Sequence, residues 1–130
     1  MIRVTAFAWV PPFARGLVRD LRVRWALEEA GLAYETRLIT LEDRSDPAYR
    51  ALQPFGQVPV YEEDGLTLFE SGAIVLHIAA RSRALTPGDE GQRTRAMGWV
   101  LAALNTLEPP IQDLAEIDLF HAGASWVAER

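Results

Sequence analysis

The segment Gln53-Pro54-Phe55-Gly56-Gln57-Val58-Pro59-Val60-Tyr61 carries more information about the fold than any other part of the chain. Val58, Val60 and their neighbours are typical of a β-strand, but Pro59 has no amide proton to donate to an adjacent strand. The sequence therefore predicts that these residues either enter a strand or lie at the edge of a sheet.

The residues after this segment predict an antiparallel hairpin and then a helix. Asp64-Gly65 lies between two extended runs, and this dipeptide is a strong signal for a tight turn between antiparallel strands. Glu70-Ser71-Gly72 then precedes the apolar run Ala73 to Ala80, which we expect to be helical. Ser71 is predicted to cap that helix, because serine is among the preferred residues at the cap position.

The residues before the segment predict a strand, a helix and a second strand. Ile2 to Val10 is rich in strand-forming residues and ends at Pro11-Pro12. Apolar residues with helical spacing follow at Val23, Ala26, Leu27 and Ala30. Gly31 comes next and suits the left-handed position that ends a helix. Leu32 to Ile39 then alternates as a strand does, and Asp46-Pro47 opens a short helix. This order favours a right-handed crossover and a parallel pair of strands.

Residues 90 to 130 predict one long or two shorter helices. Helical spacing of apolar residues continues as far as Glu108-Pro109-Pro110, which is expected to kink or end the helix, and then resumes. The positions concerned are Met97, Val100, Leu101, Leu104, Ile111 and Leu114. Such a segment cannot enclose a core alone, so we expect a first domain at residues 1–83 and the start of an incomplete helical domain at residues 90–130.

The composition excludes several classes of function. The 130 residues contain no cysteine, which rules out disulfides, thiolate metal sites and a thiol nucleophile of the protein itself. All 13 basic residues are arginine, so a Schiff-base lysine is excluded as well. The net charge of −5 without a basic stripe argues against nucleic acid as a partner. No apolar run is long enough for a membrane span and no signal peptide is recognised, so a cytoplasmic protein is expected.

Three segments, in order and correctly spaced, resemble the glutathione transferase family. They are the run from Arg22 to Glu35, the run from Gln53 to Val60, and Glu70-Ser71-Gly72-Ala73-Ile74. The resemblance covers residues 2 to 83 and, less closely, residues 90 to 130. It implies an α/β fold: a thioredoxin-like βαβ-ββα domain followed by an incomplete all-α domain.

The resemblance also implies which residues bind glutathione. A cis bond between Val58 and Pro59 would turn the Val58 backbone toward the cysteinyl residue of the ligand, which could pair there like an added strand. Glu70 and Ser71 are expected at the γ-glutamyl end. Gln57 is expected near the same peptide, and Arg44 is a candidate cation for the glycyl carboxylate. The alternatives are an exposed surface role for Arg44, a trans strand-entry role for Pro59, and a Ser71 that only caps its own helix beside a solvated Glu70.

The sequence departs from the family at the position that activates the thiol. The family uses a Tyr, Ser or Cys between the first strand and the first helix, but counting back from Arg22 gives Leu17 or Val18, which have no side-chain donor. The remaining candidates are the backbone amides near Val18 and the guanidinium groups of Arg15 and Arg19, which could favour a thiolate. Solvated loop arginines are the alternative for the latter two.

The function implied by the resemblance is glutathione binding, with conjugation of its thiolate to a small hydrophobic electrophile. A non-catalytic glutathione-binding or protein-interaction module of the same fold is the alternative. Trp9 and Phe13 could line the electrophile pocket, although large aromatic residues are more often part of the core. Glutathione is the expected co-substrate, a homodimer is expected, and no metal is expected because His77 and His121 lie far apart in the sequence.

Overall fold

A computed structural model describes residues 1–86 and 88–129. The chain divides into two compact units, Met1–Asp89 and Glu90–Arg130. The first unit has the predicted order of strands and helices: β1 (Ile2–Phe7), α1 (Asp20–Ala30), β2 (Tyr34–Ile39), α2 (Pro47–Leu52), β3 (Tyr61–Glu63), β4 (Leu66–Leu68) and α3 (Ser71–Ala80).

The four strands form one mixed sheet in the order β2-β1-β3-β4. Strands β1 and β2 are parallel, as the crossover predicts, with Ile2 opposite Tyr34. Strand β3 is antiparallel to β1 and to β4, and Glu63 lies opposite Leu66 across the turn at Asp64-Gly65. The predicted parallel pair and the predicted hairpin are both confirmed.

Two apolar clusters cover the two faces of this sheet, because successive strand side chains point to opposite sides. One cluster joins β1 to helices α1 and α3 through Ile2, Val4, Val23, Ala26, Leu27, Tyr61, Ile74 and Ile78. The other cluster brings α2 and the residues before β3 together through Ile39, Tyr49, Val58 and Val60, with Phe7, Val18 and Leu52 packed against it. Val58 is therefore a core residue as well as a candidate ligand-binding residue.

Several element boundaries differ from those predicted. Strand β2 begins at Tyr34 rather than Leu32, because the Leu32 N–H still bonds the Leu27 carbonyl (3.0 Å) at the end of α1. Strand β1 ends at Phe7 rather than Val10. Strand β3 begins only at Tyr61, after Pro59, since proline cannot donate to the ladder. Gly31 has φ 67° and ends α1 in the predicted left-handed conformation.

The second unit contains helix α4 (Glu90–Ala102), a π-helical segment (Ala103–Leu107) and helix α5 (Glu108–Phe120). Pro109 and Pro110 have no N–H for the α-helical bonds to Asn105 and Thr106, so the helix cannot continue regularly. The Glu108 N–H instead bonds the Ala103 carbonyl, five residues back. The predicted interruption at Glu108-Pro109-Pro110 is thus a change of helix type.

Most apolar residues of the second unit are exposed. Met97, Leu101, Ile111 and Leu114 are between 47% and 64% exposed, whereas Val100 and Leu104 are half-buried and Ile117 is buried. Within the described part of the chain, none of the helices is both long and apolar enough to cross a membrane.

Candidate functional site

The two neighbours of Pro59 differ in whether their backbone groups are hydrogen-bonded. The Val58–Pro59 bond is cis, which confirms the sequence-based expectation. The Val60 carbonyl accepts a hydrogen bond from the Thr5 N–H of β1 at 2.9 Å. No described residue bonds the N–H or the C=O of Val58, so this residue retains one donor and one acceptor for an extended ligand.

Glu70 and Ser71 lie at the start of α3, but their roles there differ from the prediction. The prediction that Ser71 caps α3 is wrong: Glu70 occupies the cap position and Ser71 is already the first helical residue. Glu70 has φ 69°, an uncommon conformation for a residue with a Cβ, and no side-chain bond caps the helix. The α3 N–H groups are therefore not satisfied by a capping side chain, which leaves a positive helix end facing Glu70 and Ser71.

Arg22 of α1 reaches the same place, and the sequence analysis did not assign it a role there. Its guanidinium donates a hydrogen bond to the Ser71 Oγ at 3.4 Å. A serine hydroxyl that accepts a bond can still donate its own proton. Ser71 is only 4% exposed, whereas its neighbour Glu70 is exposed. The Glu70 carboxylate is therefore the more solvent-accessible of the two side chains.

Arg44 and Gln57 belong to two segments that meet at Gly56, in the loop before Val58. Arg44 belongs to a short 3-10 turn (Asp43–Ser45), and its Nε donates to the Leu41 carbonyl at 3.1 Å. Its own carbonyl contacts Gly56: a Cβ at Gly56 would lie only 2.7 Å from the Arg44 oxygen. Both the Arg44 and the Gln57 side chains are exposed.

The thiol-activating candidates separate into two groups. Arg15 and Val18 line a cleft of about 210 Å³ that Arg19 does not line. The other lining residues are Ala6, Phe7, Val10, Gly16, Asp20, Leu21, Arg24 and Leu38. None of the six candidate glutathione-binding residues lines this cleft, but the Val18 side chain packs against the cluster that contains Val58. Val18 thus both lines the cleft and packs against the cluster that contains Val58.

A buried carboxyl group lies in this cleft. Asp20 is 6% exposed, and burial raises its pKa above the usual range although the Arg24 guanidinium, 3.5 Å away, acts in the opposite direction. Leu17 is 77% exposed, and Trp9 and Phe13 are 61% and 50% exposed, so these two aromatic residues are not part of the core.

Two buried polar residues, Tyr49 in α2 and Gln53 directly after it, were not predicted to support the site. The Tyr49 hydroxyl donates to the Gln57 carbonyl at 2.6 Å, and the Gln53 side-chain oxygen accepts from the Phe55 N–H at 2.7 Å. Both residues are at least 95% buried. The sequence showed only that a tyrosine and a glutamine occur in and directly after the short helix before Pro59. It did not show that their side chains are buried against the loop.

Comparison with known proteins finds relatives that match most of the chain. The family described as "Glutathione S-transferase, N-terminal domain" matches residues 13–80. Glutathione S-transferase 4 of Zea mays is 35% identical over 112 residues, which are 82% of this chain and 48% of the relative. Glutathione S-transferase F9 of Arabidopsis thaliana is 34% identical over 94 residues, 68% of this chain and 44% of the relative. The chain therefore spans about half the length of these relatives.

Solved structures show the same likeness. The theta class glutathione S-transferase of Xanthomonas axonopodis pv. citri, solved with glutathione bound, is 31% identical with a TM-score of 0.72 and covers 88% of this chain and 54% of its own. Poplar glutathione transferase F1 is 28% identical with a TM-score of 0.74 and covers 92% of this chain and 56% of its own. Together with the family match over residues 13–80, these findings show that the chain belongs to the glutathione S-transferase family.

Proposed function

We propose that this chain binds glutathione in an extended conformation along the Val58 backbone. The observation that carries the proposal is the Val58 peptide, whose N–H and C=O have no partner among the described residues and lie beside a cis proline. An extended peptide can add to such an edge through main-chain hydrogen bonds. The glutathione-bound Xanthomonas relative supports this ligand.

The γ-glutamyl end of the ligand is assigned to the start of α3. Its carboxylate would accept from the Ser71 hydroxyl and the helix N–H groups, which favour an anion. Arg22, which already bonds the Ser71 Oγ, adds a positive charge at that point. Glu70 is exposed and can pair with the ligand's ammonium. At the other end of the peptide, Arg44 and Gln57 are assigned to the glycyl residue and its carboxylate.

The chemistry that fits this arrangement is attack of the glutathione thiolate on a small hydrophobic electrophile. Lowering the pKa of a thiol by about two units requires ~2.7 kcal/mol of preferential stabilisation of the anion. Since Leu17 and Val18 offer no side-chain donor, the backbone N–H groups near Val18 and the guanidinium groups of Arg15 and Arg19 are assigned this role. The new carbon–sulfur bond would form as the leaving group departs with the bonding electron pair.

The second candidate function is a glutathione-binding or protein-interaction module without conjugation. The observation that favours it is the exposed Leu17 at the position where the family has a hydroxyl or thiol. Both candidates share the binding step and differ only in turnover.

Two measurements on the same protein separate these functions. Retention on glutathione-agarose, with elution by free glutathione, tests binding. Conjugation of chlorodinitrobenzene, followed as loss of chloride and formation of the thioether, tests catalysis. Binding with turnover supports the transferase, binding without turnover supports the module, and no binding contradicts the proposal as a whole.

A homodimer is proposed as the assembled form. The exposed apolar side chains of α4 and α5, including Met97 and Leu114, support this, because soluble monomers rarely expose large contiguous apolar patches. Closed two-fold pairing is also the commonest form of assembly.

A further inference from the structure

Helix α2 bonds the peptide unit that precedes Val58 through the hydroxyl of a buried tyrosine. The Tyr49 side chain is 5% exposed, and its hydroxyl donates to the Gln57 carbonyl at 2.6 Å. Burial raises the pKa of Tyr49 to about 12, so the hydroxyl keeps its proton, and its role as a donor, throughout the neutral range. The helix itself begins at Pro47 and is capped by the Asp46 carboxylate, which accepts from the Ala48 N–H at 2.7 Å.

The Gln57 carbonyl and the Val58 N–H belong to one peptide unit. That unit is planar and trans, so its C=O and N–H point in opposite directions. A hydroxyl that holds the carbonyl toward α2 therefore holds the Val58 N–H away from α2. A hydrogen bond to the carbonyl also polarises the same amide and strengthens its N–H as a donor.

We infer that Tyr49 is a positioning residue for ligand binding: its hydroxyl fixes the orientation of the Val58 N–H that pairs with the cysteinyl residue of glutathione. This inference rests on the proposed function. It assigns Tyr49 no contact with the ligand and makes its effect depend on the orientation of a single peptide unit.

Two further contacts restrict the loop between α2 and Val58. Gln53 accepts from the Phe55 N–H with its side chain and from the Gly56 N–H (2.9 Å) with its carbonyl. The Arg50 guanidinium donates to the Pro54 carbonyl at 2.7 Å and lies against Gly56. These contacts end at Gly56 and none of them involves the Gln57–Val58 peptide unit, whose carbonyl is bonded by Tyr49.

The test is the substitution Tyr49→Phe in the full chain, with glutathione affinity measured by calorimetry. Loss of one hydrogen bond that acts through orientation should weaken binding by about 3- to 10-fold. The matched control is Tyr34→Phe, which removes a hydroxyl that donates to Glu28 at 3.1 Å on an exposed surface. The control should bind glutathione as the unsubstituted chain does.

A second readout separates positioning from general loosening of the fold. In a proton–nitrogen-15 correlation spectrum, the Val58 amide proton resonance should move downfield when glutathione saturates the unsubstituted chain, because the N–H gains a hydrogen-bond acceptor. In Tyr49→Phe the shift at saturation should be smaller, because the N–H no longer points at its acceptor. A residue that only stabilised the fold would change the affinity without changing the saturated shift.

The outcomes are distinct. Tyr49→Phe that binds within twofold of the unsubstituted chain and shows the full Val58 shift overturns the inference and leaves the proposed function standing. An unsubstituted chain that does not bind glutathione overturns both. If Tyr49→Phe does not fold, 3-fluorotyrosine incorporated only at position 49 replaces it, because the fluorine keeps the ring and strengthens the hydroxyl as a donor: a changed Val58 shift at saturation supports the inference, and an unchanged shift contradicts it.

Discussion

At the scale of single residues, Gly56 has no room for a side chain. Its φ is +61°, and a Cβ there would lie 2.7 Å from the Arg44 carbonyl oxygen and 2.8 Å from the Arg50 Cζ. Gly31 has a similar φ of +67° but no atom within 4 Å of its Cβ position. Gly31→Ala should therefore lose about 1 kcal/mol of unfolding free energy, and Gly56→Ala, where overpacking adds to the same backbone cost, about 2–4 kcal/mol.

Urea unfolding of both variants, monitored by circular dichroism, measures this difference. Because the backbone conformation is matched, the excess cost at Gly56 reports the close approach of the Arg44 turn to the loop before Val58. Equal losses of unfolding free energy at the two glycines would mean that the Arg44 turn moves away from the new Cβ at no energetic cost. In that case Arg44 is not held beside the loop before Val58.

The sequence predicted some of these residues and missed others, for a physical reason. The left-handed Gly31 and the turn at Asp64-Gly65 follow from local backbone chemistry that a short stretch of sequence displays, whereas the cis bond at Pro59 was expected only from the resemblance to the glutathione transferase family. The bond from Tyr49 to the Gln57 carbonyl depends on where α2 packs against the sheet, which no local pattern encodes. The shift of the α3 cap from Ser71 to Glu70 likewise depends on a backbone conformation that propensity disfavours.

At the scale of elements, an ion pair joins β3 to the end of α3. Glu63 accepts from the Arg81 guanidinium and from the Tyr61 hydroxyl, and these bonds lower the pKa of Glu63 to about 2. A lowered folded-state pKa gives stability that is present above the unfolded pKa near ~4.3 and is lost as pH falls toward the folded value. Unfolding free energy should therefore decrease between about pH 5 and pH 2.

The substitution Glu63→Gln tests this assignment. Arg81 is 38% exposed, so solvent screening limits the loss at pH 7 to about 1 kcal/mol. The difference in unfolding free energy between the variant and the unsubstituted chain should shrink as pH falls from 5 to 2. A difference that stays constant over that range would show that the carboxylate charge contributes nothing. Glu35→Gln, on the edge strand β2, is the control.

Element types were predicted more reliably than their ends or their irregularities. The order of strands and helices in the first unit follows from periodicity and turn residues, and the parallel pairing of β1 with β2 from the right-handed crossover, whereas the pairing of β3 with β1 was not predicted. The π-helical segment at Ala103–Leu107 was predicted only as an interruption of the helix. Two adjacent prolines remove α-helical hydrogen bonds, but they do not determine which helix type takes over.

At the scale of the whole molecule, the exposed apolar residues of α4 and α5 predict self-association. Light scattering at micromolar concentration should return about twice 14.5 kDa. The double substitution Ile111→Glu and Leu114→Glu places charges at two exposed apolar positions and should shift the mass toward the monomer. Thr94→Glu, at an exposed polar position of α4, should leave the mass unchanged. A soluble monomer at all concentrations would contradict the dimer.

The most direct test of the central claim is calorimetric titration of the chain with glutathione, compared with Ser71→Ala. If Ser71 and the start of α3 hold the γ-glutamyl carboxylate, the unsubstituted chain binds with one site per chain and the variant loses about 1–3 kcal/mol, a 5- to 150-fold weaker affinity. Ser82→Ala, beyond the far end of α3, should bind as the unsubstituted chain does. Equal affinities for Ser71→Ala and the unsubstituted chain, with the fold intact, would contradict the assignment of this site to glutathione.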